Sequence, residues 1–499
     1  MKIELRSLLD RLDEAGLILE RQGPVDGIWV DHLANDSRKV AAGGLFVAIR
    51  GKLSDGHLFI DKAVQNGAVA IVYEAAPEEK WSQNTSGAAL VRVTNARAAM
   101  AELSAAFYGD PSKRLRMIGI TGTNGKTTTT YLVHHLLTVL GVKAGLMGTV
   151  AILAGDKPVD ASLTTPDALE LNRTLKKMVE AGCTACVMEV SSHALHQDRV
   201  RGIPYQVAVF TNLTNDHLDY HGTIEAYRQA KKILFDGLSP DAVAVYNVDD
   251  PTGITIVSDT RAQTISYGRS EKAEVRLEVL ADSIDGLHLR IDGIERKFRL
   301  VGLFNAYNLA AAYGVGRALG YSPEVILEAL ATAPPVPGRF EQVRFADGTT
   351  VVIDYAHTPD ALENVLATLV RTKPDNAALW CLFGCGGDRD ATKRPTMGRI
   401  AERYADRVIV TSDNPRTEDP LAIMEDIRTG MEHPGNAMWI ANRREAIHQA
   451  AELAAPGDVI LVAGKGHETY QIIGTERIPF DDHEEVRQSF FSRGLIETH

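Results

Sequence analysis

Ile118-Gly119-Ile120-Thr121-Gly122-Thr123-Asn124-Gly125-Lys126-Thr127-Thr128 runs an apolar strand into a glycine turn, and Thr127 to Leu140 then reads as a helix. Backbone N–H groups in such a turn can close on a phosphate at the helix N-terminus, where the dipole also favours an anion. Gly122 and Gly125 leave room for that approach, with Thr123, Asn124 and Thr128 completing the loop. Lys126 would reach the outer phosphates and the Thr127 hydroxyl a magnesium ion. The longer form of this loop has glycine where Ile120 stands, so the pattern is the shorter G-x-x-G-K-T. A plain strand-to-helix turn would not explain a lysine and a threonine together after the second glycine. The stretch reads as an ATP site.

Outward from it, the bounds are those of a soluble multidomain protein. At 499 residues the chain exceeds one ordinary core. The formal charge of −12 argues against nucleic acid as the main partner. Met1 to Gly16 carries charges throughout and has no apolar signal core. No run approaches a membrane span. Four cysteines in so long a chain make no disulfide framework. Cys183/Cys186 and Cys381/Cys385 lie in or beside apolar runs and read as buried free thiols, which fits a cytoplasmic location.

The fold class is α/β with three domains. Residues 1–110 form a small N-terminal α/β unit. In it Asn35-Asp36-Ser37-Arg38 and Gly51-Lys52-Leu53-Ser54-Asp55-Gly56 fall where loops leave strands; turn chemistry and ligand binding explain them equally well. Residues 111–338 alternate strands and helices, as a mostly parallel sheet requires. Leu163-Thr164-Thr165-Pro166, Glu189 with Ser191-Ser192-His193, and the run Asp216 to His221 all follow strands there, where open α/β sheets collect ligands. Residues 339–499 alternate again. Polar loops follow strands at Asp354-Tyr355-Ala356-His357, at Gly384 to Arg389, at Ser412-Asp413-Asn414-Pro415-Arg416 and at Gly464-Lys465-Gly466-His467-Glu468. The Gly384 loop is no dinucleotide fingerprint, because that pattern needs glycine where Arg389 stands.

Lys231 is the most informative single residue. With Ile224 to Phe235 helical, Ile224, Tyr227, Leu234 and Phe235 share one face, Lys231 lies near its middle, and Lys232 points away. An ammonium in an apolar seam tends to lose its charge or find a partner. A neutral amine can take up carbon dioxide as a carbamate, an anionic oxygen ligand. Helix geometry alone favours a packed stem whose head reaches out to water.

The run Thr121 to Thr128, Glu189-Val190-Ser191-Ser192-His193, the Asp216 to His221 cluster, Ala230-Lys231, Asn305-Ala306-Tyr307-Asn308, Pro337-Gly338-Arg339 and Asp354-Tyr355-Ala356-His357-Thr358-Pro359 occur in that order. Together they resemble the Mur ligases of peptidoglycan precursor synthesis. Asp413-Asn414-Pro415-Arg416 resembles the signature of the members that add meso-2,6-diaminopimelate to UDP-N-acetylmuramoyl-L-alanyl-D-glutamate. The resemblance implies a first domain for the UDP end, a central P-loop ATPase-like domain, and a Rossmann-like last domain for the amino acid. It implies a carbamylated Lys231 (N6-carboxylysine), with Thr127, Glu189, His217 and that lysine setting up Mg2+ sites and Lys126 on the ATP phosphates. Asn308, Arg339 and Asp354 then match nucleotide contacts. Thr164, Thr165, Ser191, Gln197 and Arg199 match the muramoyl-peptide site, and Ser37 with Lys52, Leu53 and Ser54 the uridine site. Arg389, Asp413, Asn414, Pro415, Arg416, Gly464 and Glu468 match the diaminopimelate site.

The implied reaction is amide ligation through an acyl phosphate, by a monomer and without a nucleophilic side chain. Two other readings remain: a sister ligase (lysine-adding, D-alanyl-D-alanine-adding, or a folylpolyglutamate synthetase), and a non-catalytic nucleotide sensor. The sensor has no use for Lys126, Glu189, His217 and Lys231 together.

Overall fold

The computed structural model describes residues 2–51, 54–74, 87–159 and 163–498. Lys52 and Leu53, expected at the uridine site, therefore lie outside the described residues. Three large sheets organise the chain. The first has five strands in the order Ile18–Gln22, Ala89–Val93, Ala68–Tyr73, Gly44–Val47 and His32–Ala34, parallel except at the first pair. Leucines of helix Leu5–Glu14 and the apolar face of Ala96–Phe107 fill one side of it. Asn95 caps the second of these helices, accepting from Arg97 and Ala98 N–H.

The central sheet has eleven strands. Its heart is a parallel run: Ala144–Met147, Ala185–Glu189, Arg116–Thr121, Tyr205–Phe210, Val243–Asn247 and Gln263–Gly268. These strands read as continuous apolar runs because helices cover both faces. Helices Lys126–Val139 and Leu303–Ala318 pack on one face, while Ala168–Glu180 and Ile224–Asp236 pack on the other. A meander, Val275–Ser283, Gly286–Ile291 and Ile294–Phe298, extends one edge.

The last sheet runs Met438–Trp439, Arg407–Val410, Leu379–Phe383, Val459–Ala463 and Thr350–Asp354 in parallel, then Glu341–Phe345 and Glu497–Thr498 antiparallel. A cleft between the central and last domains is lined by residues after the central parallel strands and, from the last domain, by Arg339, the loop after Thr350–Asp354 and helix Pro359–Thr372. All four cysteines are free and buried. Among the described residues no helix is long and apolar enough to cross a membrane.

Candidate active site

Strand Arg116–Thr121 delivers the glycine turn and helix Lys126–Val139 receives it. Both glycines are required. Gly125 has φ 83° and a Cβ there would lie 2.4 Å from Asn308 Oδ1; at Gly122 one would lie 1.8 Å from Thr211 Oγ1. The Lys126 ammonium folds over the loop, donating to the Thr123 carbonyl at 2.7 Å and the Gly122 carbonyl at 3.0 Å. Burial holds its pKa below the usual lysine value, against the pull of Glu189.

Lys231 is 1 % exposed, and its Nζ donates to the same Gly122 carbonyl at 2.7 Å. It lies 4.5 Å from the centre of the Tyr227 ring. The amine does not reach out to water, so the packed-stem reading fails. The Gly122 carbonyl and the Tyr227 ring hold the amine inside the protein. Burial, then the positive charge of Lys126, push its pKa well below the ordinary value. One further expectation for this helix fails: Ile224 is 41 % exposed, while Tyr227, Leu234 and Phe235 are buried. Lys232 is 5 % exposed, its Nζ paired with Asp236 and, at 2.7 Å, with Asp259, two carboxylates that face solvent. Asp259 arrives from a distant segment that covers this side of the helix.

Glu189 ends strand Ala185–Glu189 and is buried. Its Oε1 accepts from Thr149 N–H at 2.8 Å, and the Thr149 hydroxyl lies 3.1 Å from Oε2 and 3.0 Å from Thr164 Oγ1. The Thr165 hydroxyl donates to the Glu189 carbonyl at 2.9 Å and accepts from Ser191 N–H at 3.1 Å. Arg199 donates to Gln197 Oε1 at 2.7 Å and to the Thr165 carbonyl at 2.9 Å. Thr164, Thr165, Ser191, Gln197 and Arg199 thus form one connected patch beside Glu189. His217, in a left-handed backbone conformation (φ 54°), faces Asp216 across 3.6 Å.

Lys126, Thr127, Glu189, His217, Lys231, Asn308, Arg339 and Asp354 all line one cavity of about 560 Å³. Arg339 donates to Thr127 Oγ1 at 3.3 Å and stacks over Tyr355, and its buried Nε has no protein partner. Asp354 accepts from Phe340 N–H at 2.6 Å; burial raises its pKa despite Arg339. An orphaned guanidinium N–H and a glycine cradle suit a polyphosphate. Among the described residues no three His, Cys, Asp or Glu side chains gather closely enough to hold a metal alone. The hydroxyl, carboxylate and imidazole present still fit magnesium, which takes a few protein oxygens and completes its shell with phosphates and water.

Ser37, Ser54, Gln197 and Arg199 line a second cavity of about 820 Å³ between the first and central sheets. In the last domain Asp413, Asn414, Arg416, Gly464 and Glu468 come together. Asn414 Nδ2 donates to Glu468 Oε2 at 2.9 Å, Arg416 donates to the Gly387 carbonyl at 2.7 Å, and a Cβ on Gly464 would lie 2.5 Å from Asp413 Oδ2. Pro415 is buried in the same loop; Arg389 is exposed at its mouth.

Four residues were not read from the sequence as parts of a site. Thr149 holds Glu189. Tyr227 walls Lys231 and meets Thr123 Oγ1 at 3.2 Å. Asp360 accepts from Asn124 Nδ2 at 2.8 Å, tying the phosphate loop to the last domain. Lys465, fully buried, donates to Asn414 and Glu468 at 3.2 and 3.3 Å. Lys465 and Asp360 carried a signal, since each stands in or next to a motif already singled out.

A phosphate-loop sheet opening onto a second nucleotide-sized cavity and a Rossmann-like third sheet define a Mur ligase, and the chain belongs to that family. Residues 30–108 match the Mur ligase family catalytic domain, 120–316 the Mur ligase middle domain, and 338–466 the Mur ligase glutamate ligase domain. The chain is 46% identical over 449 residues to the UDP-N-acetylmuramoyl-L-alanyl-D-glutamate–2,6-diaminopimelate ligase of Cytophaga hutchinsonii, covering 90% of this chain and 92% of that one. It is 47% identical over 489 residues to the protein of the same name from Geobacillus kaustophilus, covering 94% and 98%. A solved structure of a ligase of that name superposes with TM-score 0.69 at 34% identity, over 99% of this chain and 100% of that one. Folylpolyglutamate synthase of Mycobacterium tuberculosis shares the fold at 22% identity, with TM-score 0.60 over 74% and 93%.

Proposed function

We propose that the protein is an ATP-dependent amide ligase that joins meso-2,6-diaminopimelate to the D-glutamate carboxylate of UDP-N-acetylmuramoyl-L-alanyl-D-glutamate. The observation that carries the reading is the convergence of the phosphate loop, buried Glu189 and buried Lys231 on one cavity between the central and last sheets. The names and extent of the similar proteins support the choice of substrates.

Three units divide the work: 1–110 holds the UDP end with Ser37 and Ser54, 111–338 holds ATP, and 339–499 holds the amino acid. The family matches support this division. Carboxylate oxygen is a poor leaving group, so the γ-phosphoryl of ATP goes to the D-glutamate carboxylate to give an acyl phosphate and ADP. The amine attacks its carbonyl carbon and phosphate leaves. Lys126 and the loop N–H groups stabilise charge on the transferring phosphoryl. Arg339 steadies the nucleotide from the far side. Arg199 and Gln197 orient the peptide arm of the acceptor.

Thr127, Glu189, His217 and a carbamate on Lys231 would hold Mg2+, which supplies charge neutralisation at the phosphoryl oxygens. Holding three substrates in line accounts for most of the rate. The reading includes a monomer in the cytoplasm, a compartment that keeps four buried thiols reduced. The test is ATP turnover, which is expected only when the UDP-dipeptide and diaminopimelate are both present. Turnover indifferent to either one would overturn the reading.

A further inference from the structure

We propose that the hairpin formed by Tyr470–Ile473 and Glu476–Pro479 is a specificity-determining element that sets amino-acid choice by positioning Arg416; the inference rests on the reading above. The two strands are largely exposed and, apart from one bridge between Ile473 and Arg416, pair with each other. None of their residues belongs to the apolar clusters of the last domain. A lone two-stranded hairpin is marginal by itself, so this one is held by what it touches.

It touches the arginine loop. Arg416 N–H donates to the Ile472 carbonyl at 3.1 Å, and Gly474 N–H donates to the Arg416 carbonyl at 2.7 Å. Gln471 Nε2 donates to the Asp413 carbonyl at 2.6 Å, and Ile472 N–H to Asn414 Oδ1 at 2.9 Å. Arg416 has φ 52°, a region that non-glycine residues seldom occupy without support. Here both of its peptide groups are bound by the hairpin.

The Asn414 amide is turned inward. Its Oδ1 takes Ile472 N–H and Lys465 Nζ, and its Nδ2 serves Glu468. Asn414 is therefore a brace between the hairpin and Glu468, a positioning residue in our assignment. One Arg416 nitrogen is spent on the Gly387 carbonyl, and the fork projects from a backbone the hairpin fixes. Diaminopimelate differs from lysine by a carboxylate at the far end, and that contact needs the fork in place. No hairpin residue lines the ATP or UDP cavity.

The experiment compares the full-length wild type with Gln471→Ala and with a variant whose residues 471–478 are replaced by a Gly-Ser linker. It measures kcat/KM for meso-diaminopimelate and L-lysine, and KM for ATP and the UDP-dipeptide. The ratio of diaminopimelate to lysine should fall about three- to tenfold in Gln471→Ala, one hydrogen bond's worth, and further in the replacement, with both other KM values unchanged. An unchanged ratio in both variants overturns the inference. Equal losses for all three substrates also overturn it, since they mark a general folding role. A wild type that does not add diaminopimelate removes the parent reading instead, so the two failures are distinguishable.

Discussion

Lys126 and Lys231 converge on a single acceptor: both amines lie within hydrogen-bond distance of the Gly122 carbonyl, at 3.0 and 2.7 Å. Two ammonium groups sharing one oxygen repel each other, and Lys231 has no carboxylate partner among its hydrogen bonds. Burial and Lys126 both shift Lys231 toward the neutral amine, the form that reacts with carbon dioxide. Lys231→Ala should cut kcat by about 10²–10³ with the fold intact, the scale of losing one preorganised charge contact. A short carboxylic acid in the buffer should restore part of the rate. Full activity in the unsupplemented variant would contradict the assignment.

Gly125 is fixed by conformation and by space together. With φ 83° and Asn308 Oδ1 2.4 Å from any Cβ, Gly125→Ala must shift either the loop or the asparagine. KM for ATP should rise by at least about tenfold, as expected when a strained backbone displaces its binding groups. KM for the UDP-dipeptide should hold, and a parallel rise in both would point to misfolding.

Ser37 is buried at the rim of the larger cavity, with its carbonyl held by Asn66 Nδ2 at 2.8 Å. The backbone is anchored without the hydroxyl, so Ser37→Ala should leave the fold alone. KM for the UDP-dipeptide should rise about three- to tenfold, with KM for ATP unchanged. An unchanged nucleotide-sugar KM counts against the uridine assignment.

His483 and Glu341 pair at 2.8 Å, and Glu341 also accepts from Gly338 N–H at 2.7 Å, where the central domain meets the last. Burial acts to lower the His483 pKa, but the bond and charge of Glu341 outweigh it and raise it above 6.5. Burial acts likewise to raise Glu341, but His483 and the Gly338 N–H hold it below 4.5. The histidine contribution is full below 6.5 and lost as pH rises through the raised value. The glutamate contribution is full above 4.5 and lost as pH falls through the lowered one. His483→Gln should therefore lower Tm by about 2–4 °C near pH 5.5 and have little effect at pH 9. Melting curves with equal deficits at both pH values would rule the pair out as a source of stability.

Much of this was legible from strand ends. Apolar runs such as Ala185–Glu189 and Val459–Ala463 announce parallel strands, and the polar residues after them fall in the ATP cleft in the first case and beside Asp413 and Asn414 in the second. Phosphate-loop chemistry was readable because its groups are local. What escaped depends on partners far apart in the chain. Lys232 is buried because Asp259 covers it, and Asn414 is a brace because a hairpin more than a sheet strand away donates to it. Periodicity along one helix reports its average inner face, and it cannot report a segment that later folds across the side.

The central claim is that the arginine loop selects diaminopimelate. The direct measurement is kcat/KM of the wild type for meso-diaminopimelate and for L-lysine, at fixed ATP and UDP-dipeptide, with product identified by mass. Lysine would leave the Arg416 fork without its carboxylate, and sites built around such a contact discriminate by about 10⁴ or more. A preference of that order is expected, most of it lost in Arg416→Ala. Comparable kcat/KM for the two amino acids in the wild type would contradict it.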